Sequence, residues 1–227
     1  MPDIALDPAL SVYALVRRTL NQRTLVNHRR TMLIISHEIE NVILLDKVRA
    51  RLFSGFQRMS AFLPQVERYQ RLAEQAESIY VFGVMDVTPP PIMRVTYVPL
   101  RPTDQLAREW FIVADAPEYF TTLATEEISP AGVQDMERRF EGIWSFDEDM
   151  VLILRDWLSS LVDAQPVSAT DRDYARQIKT MSRTIGRLTG RITRALEQPD
   201  AAAQELQTVM TAQVEPEAER MAGKLGT

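Results

Sequence analysis

The stretch HRRTMLIISHEIENVILLDKVRARLFSGFQR, residues 28–58, joins a helix to a strand and is the starting point for reading the fold. Met32, Ile35, Ile39, Val42 and Ile43 recur at helical spacing and form one apolar stripe, the mark of a helix packed on a core. A short basic break follows, and residues 51–56 then read as a strand that runs into Gln57 and Arg58. Polar groups interrupt the helix. Ser36 lies inside the stripe, Glu40 sits at its edge, and His37 precedes Glu40 by three residues and Asn41 by four, so these three share a flank. A polar side chain beside a core needs a partner, because leaving it unpaired costs on the order of 1–3 kcal/mol. That partner is either another part of the fold or a ligand. Glu38, on the other flank, reads as solvated.

Outward from this stretch the pattern alternates. Asp7 and Pro8 are placed to open a helix that runs to Leu20, and residues 21–27 read as a polar connection. A helix over 60–77 carries Phe62, Val66, Tyr69, Leu72 and Ala73 at spacings of three and four, with Pro64 tolerated in its first turn. The run IYVFGV at 79–84 is nearly all apolar, as in a strand buried on both faces. Prolines 89–91 then form a stiff connection. Further strands are read at 95–100, 110–114, 119–125 and 142–146, with short helices at 103–109 and, after the break at 129–132, through Phe140. Asp147 caps a helix that runs to Val162. The expected fold is α/β: a mixed sheet of five or six strands flanked by helices, followed by a long C-terminal helical extension. The expected division is an α/β domain over 1–165 and a helical region over 166–227.

Several of these blocks together resemble a known family. ISHEIENVIL, LFSGFQRMSAFLPQVERYQRLA, YVFGVMD, TYVPL, LAREWFIV and RRFEGIWSFD, in that order, look like the DICT sensory domain, named for its occurrence with diguanylate cyclases and two-component systems. The resemblance spans roughly residues 10–162. It implies a non-catalytic sensory or regulatory module of signal transduction, with a part in light responses among the suspected roles. It carries over no catalytic residue.

Composition sets outer bounds. A 45% apolar and 25% charged chain is ordinary for a soluble globular protein, and a net charge of −5 argues against nucleic acid as the main partner. With no cysteine and only His28 and His37, disulfides, thiolate chemistry and the usual metal sites are excluded or poorly supplied. The start MPDIALDPAL lacks the basic region and apolar core of a signal peptide, and no apolar run approaches the ~20 residues of a membrane span. The expected location is cytoplasmic, with no membrane partner. No phosphate-binding glycine loop, nucleophile elbow or H-E-x-x-H motif is present, and no cofactor is indicated.

Open α/β sheets bind ligands beyond the carboxyl ends of their strands. Here those ends carry Gln57, Arg58, Asp86, Asp115 and Asp147, beside Phe56, Phe82 and Trp144. Asp115 and Asp147 read as turn and cap residues. His37, Glu40, Gln57, Arg58 and Asp86 are the candidate ligand-binding residues. His37 with Glu40 would serve as an acid–base pair in an enzyme, as a pH-sensitive latch, or as a hydrogen-bonded tie at the core edge. A ligand-free scaffold is the remaining alternative.

Residues 171–197 read as one long helix. Tyr174, Ile178, Met181, Ile185, Leu188 and Ile192 alternate spacings of four and three, with isoleucine at each first position, a choice that favours parallel two-stranded coils. Gly186 and Gly190 each cost ~1 kcal/mol in a helix. The stripe either pairs with a second copy through Ile178, Met181, Ile185, Leu188 and Ile192 or docks on its own domain. The arginines of this helix are spread around it and read as a solvated surface. A homodimer and a separate signalling effector protein are therefore the expected partners. A further helix over 200–214 and a frayed tail over 215–227 complete the reading.

Overall fold

Alternating burial makes residues 51–58 a strand with two working faces. Leu52 points into the apolar cluster beneath the central helix, and Phe53 points into a second cluster on the other side. In a computed structural model of the chain, residues 7, 9–20, 23–130, 132–134, 137–162, 164 and 171–197 are described. Their helices and strands, in order, are α1 (Val12–Leu20), β1 (Leu25–His28), α2 (Arg29–Leu45), β2 (Arg51–Arg58), α3 (Met59–Phe62), α4 (Val66–Gln75), β3 (Ser78–Val84), β4 (Val95–Leu100), β5 (Glu109–Ala116), β6 (Tyr119–Glu127), β7 (Arg139–Ser145), α5 (Glu148–Ser160) and α6 (Tyr174–Glu197).

The strands form a single mixed sheet in the order β1-β7-β6-β5-β2-β3-β4. β2, β3 and β4 run parallel, and β5, β6, β7 and β1 join as antiparallel neighbours. Helices α2 and α4 pack on one face, α1 and α5 on the other, so each face has its own core. On β5 the same alternation recurs: Phe111 and Val113 serve one core, Ile112 and Ala114 the other. Gly55 is required in β2, because a Cβ there would lie 2.4 Å from the Phe111 ring.

The sheet has seven strands, not the expected five or six. The additional one is β1, in the segment read as a polar connection. It is four residues long, at the sheet edge, with Leu25 65% exposed. It is held by backbone pairing with β7, and its side chains show no hydrophobic alternation to read. Other boundaries shift too. α1 opens at Val12, where the Glu109 carboxylate accepts from Val12 N and Tyr13 N, and the Ser11 hydroxyl accepts from Ala14 N. The helix expected over 60–77 is split by a tight turn at Leu63–Gln65, which contains Pro64. The helix expected over 103–109 is a four-residue 3₁₀ turn, Gln105–Arg108, and Phe140 lies in β7. Asp147 caps α5 as expected, accepting from Met150 N at 2.8 Å. The expectations for the N-terminal arm, the boundary segment 165–170, and residues 198–227 lie outside the described residues.

Helix α6 lies antiparallel across α2 and turns a polar side to the domain. Gln177, Thr180 and Thr184 are buried, whereas Ile178 is 67% and Ile185 49% exposed, and Tyr174 and Ile192 are exposed with them. The Gln177 amide pairs with Phe120 as a strand would, accepting from its N–H at 3.0 Å and donating to its C=O at 2.9 Å. Glu38 is not solvated. It is buried under α6, where its carboxylate receives Arg187 at 2.9 Å and Arg191 at 3.0 Å. Asp46 takes Arg183 and Arg187. Asp115 is likewise no turn residue: buried in β5, it accepts from Arg155 at 3.2 Å and Arg172 at 2.8 Å. Leu188 packs toward the α2-side core, and Met181 is half-buried at the edge of the contact.

Candidate ligand cleft

The strand β2 does not run straight to its end. Its pairing with β3 slips between Gly55 and Arg58, and Gln57 adopts φ of 62°. A side-chain-bearing residue in this left-handed region costs on the order of 1–3 kcal/mol, so the surroundings must hold it. They do: Gln57 donates to the Arg108 carbonyl at 3.0 Å and to Glu127 at 3.2 Å, and accepts from Arg138. Arg138 also grips both oxygens of Glu127, at 2.8 Å and 2.5 Å. This fork keeps Glu127 ionised, its carboxyl held below the usual value chiefly by the Arg138 hydrogen bond.

The bulge forms one wall of a cleft of about 690 Å³ at the carboxyl end of β2. Gln57 and Arg58, both expected from the sequence, line it. Arg29 from the first turn of α2, Arg108 and Arg138 bring the cleft to four arginines against the single carboxylate of Glu127. Leu33, Phe56, Pro64, Pro102 and Trp110 supply apolar wall. The Arg29 guanidinium lies 5.9 Å from the Trp110 ring centre, and the Trp110 indole N–H donates to Ser36 at 3.0 Å. Ser36, the polar interruption of the α2 stripe, thus positions a cleft residue. Phe82 and Trp144, also named from the sequence, do not line the cleft: Phe82 belongs to the opposite core, and Trp144 donates to Thr121.

The structure separates the other candidates from the cleft. His37 and Glu40 are buried below it and border a void of about 10 Å³. His37 Nε2 bonds Gln65 at 3.0 Å. Burial first, and the Arg68 charge second, push this imidazole down from 6.5 to about 4, so it is neutral at pH 7. Glu40 accepts from Arg68 and from the Tyr69 hydroxyl, whose oxygen in turn accepts from the Ser54 hydroxyl at 2.9 Å. Arg68 reaches on to the His37 carbonyl and the Asn41 side chain. This network ties α2 to α4 and β2. Asp86 caps α3 at the surface, accepting from Ser60 N at 2.9 Å and from its hydroxyl.

Arg29, Arg108, Trp110, Glu127 and Arg138 were not singled out from the sequence. Each belongs to a different element or loop, and only the sheet order brings them to one place. The available signal was the position of Arg108 and Arg138 next to strand ends. Among the described residues no group of side chains is suited to hold a metal ion, and no helix is long and apolar enough to cross a membrane.

The family comparison agrees with the sequence blocks. The model for DICT, the sensory domain in diguanylate cyclases and two-component systems, matches residues 9–127, more than half of the 227-residue chain. The match takes in α1 through β6, including the bulged end of β2, Trp110 and Glu127. Comparison with curated proteins and with solved structures found no match. The chain belongs to the DICT family of sensory domains.

Proposed function

We propose that this protein is a sensory input module that binds a small ligand in the arginine-lined cleft and passes the change through α2 to α6. The observation that carries the reading is the double attachment of α2. Its first turns give Arg29 and Leu33 to the cleft, and further along Glu38 and Asp46 hold the arginines of α6. A ligand that shifts α2 alters the footing of α6 directly. The strained Gln57 supports the same placement, because backbone strain persists where structure holds it for a purpose. Residues 1–165 form the sensory domain in this proposal and 166–227 the output region. The output is a homodimer seam along Ile178, Ile185 and Ile192, edged by Met181, from which a separate effector protein reads the signal. Leu188 helps to seat the helix on its own domain.

An enzyme built on His37 and Glu40 has less support, since both side chains are committed to Gln65, Arg68 and Tyr69. Native mass spectrometry of the protein purified from its own host tests the cleft. Wild type should carry a small molecule that Arg58→Gln loses. A wild type without bound mass, or an Arg58→Gln variant that keeps it, would overturn the assignment.

A further inference from the structure

The cleft has a charge opposite to that of the chain. The protein carries a net −5, yet four arginines face one carboxylate here. That carboxylate is already occupied, because both oxygens of Glu127 are taken by Arg138. The Arg58 side chain is exposed and has no hydrogen bond or ion pair among the described residues, Asp86 acting on it only through space. Arg108 is 64% exposed, and its nearest carboxylate, Glu126, is 4.0 Å away. Arg58 is therefore not used by the fold, and Arg108 is held, among the described residues, only by that long, exposed ion pair with Glu126. Each guanidinium is a planar set of donors suited to two oxygens of one anion.

Size and wall chemistry narrow the ligand further. A volume of about 690 Å³ is far more than an inorganic oxyanion fills and falls within the roughly 300–1,000 Å³ of small-molecule sites. Phe56 and Trp110 lie on the wall with Leu33, Pro64 and Pro102, surfaces that take a flat apolar group. From these features we infer that the cleft takes a small aromatic oxyanion, its ring against Trp110 and Phe56 and its carboxylate or phosphate between Arg58 and Arg108. The inference rests on the cleft being the ligand site proposed above. Gln57 has a role in it: by bonding the Arg108 carbonyl and Glu127 together, the bulge sets the spacing of the walls.

Calorimetric titration of the full chain with four probes tests this: 2-naphthoate, 1-naphthyl phosphate, uncharged 2-naphthol and pyrophosphate. At least one ring-bearing anion should bind about tenfold or more tightly than 2-naphthol and pyrophosphate, a difference of about 1.4 kcal/mol. Naphthoate and naphthyl phosphate then identify the preferred head group. The double variant Arg58→Gln/Arg108→Gln, which removes no fold contact beyond the exposed 4.0 Å ion pair of Arg108 with Glu126, should erase the preference. Its circular dichroism and melting should match wild type. Equal binding of 2-naphthol and the ring anions would overturn the oxyanion and leave the cleft as a ligand site. Pyrophosphate binding as well as the ring anions would overturn the aromatic half. A preference that survives the double variant would place the anion elsewhere and also overturn the inference. No binding by any probe at millimolar concentration would overturn both the inference and the cleft assignment.

Discussion

His37 and Glu109 are buried titratable groups on opposite faces of the sheet, and burial moves them in opposite directions. His37 falls from 6.5 to about 4, and Glu109 rises from 4.5 to about 7 against the pull of its hydrogen bonds from Ser11, Val12 and Tyr13. Between pH 4.5 and 6.5 the unfolded chain holds a proton on residue 37 that the folded chain lacks, so this contribution to stability grows as pH rises. Over the same window folded Glu109 keeps a proton that the unfolded chain has released, so its contribution falls as pH rises. Each effect amounts to about 2–3 kcal/mol across the window, at about 1.4 kcal/mol per unit, and in the native chain they offset each other. His37→Gln should therefore lose stability as pH is raised from 4.5 to 6.5, and Glu109→Gln should gain it. Denaturant melts at three pH values check this. Two parallel profiles would mean that neither group is shifted as its burial implies.

At the scale of elements, α6 is unusual in which side it buries. An amphipathic helix ordinarily turns its apolar stripe to the core, because each buried aliphatic side chain stabilises by ~1.5–3 kcal/mol. Here the domain offers Glu38, Asp46 and Asp115 instead, and each needs a cation once covered. Arg172, Arg187 and Arg191 meet that need, so the arginine-bearing side docks and the isoleucines are left outside. Such a latch is held by ion pairs over a polar surface, and water can replace its contacts. A chain ended at residue 165 should therefore remain soluble and melt cooperatively, as Glu38 and Asp46 would simply regain water. Aggregation of that fragment, or a melt with no transition, would show that α6 is part of the core. Within the full chain, Glu38→Gln should speed hydrogen exchange in α6 by about tenfold, the effect of losing ~1.4 kcal/mol, while β2 and β5 stay protected.

The whole molecule presents the arginine-lined cleft at one end of α2 and, among the described residues, an exposed isoleucine stripe on the helix that α2 holds. Three isoleucines at a seven-residue repeat match a second copy of the same helix, since the repeat keeps both seams in register. Ile185→Asp places a charge at the centre of that seam, on a side chain 49% exposed in the single chain. The variant should sediment as a monomer and melt as the wild-type domain does. A wild type that is already monomeric at about tens of micromolar would end the homodimer proposal. A variant that stays dimeric would move the interface elsewhere.

Much of the architecture was written locally. The α2 stripe, the all-apolar β3, the Asp147 cap and the seven-residue repeat of α6 each arise from side chains that are neighbours along the chain, where periodicity reports burial. Gln57 and Arg58 were legible for the same reason, because they end a strand. What the tertiary structure alone decided are the pairings between distant segments. β1 is held by the backbone of β7 and leaves no trace in its side chains. Arg29, Arg108 and Arg138 converge only because the sheet order brings the ends of β2, β5, β6 and β7 to α2. His37 and Glu40, equally prominent in sequence, are taken up by partners from the next helical run: Gln65 for His37, and Arg68 and Tyr69 for Glu40. The sequence determined that α6 has an apolar stripe, and the folded domain decided that the other side would dock. Ion pairing depends on which charges face each other across space, and spacing along one helix carries no record of that.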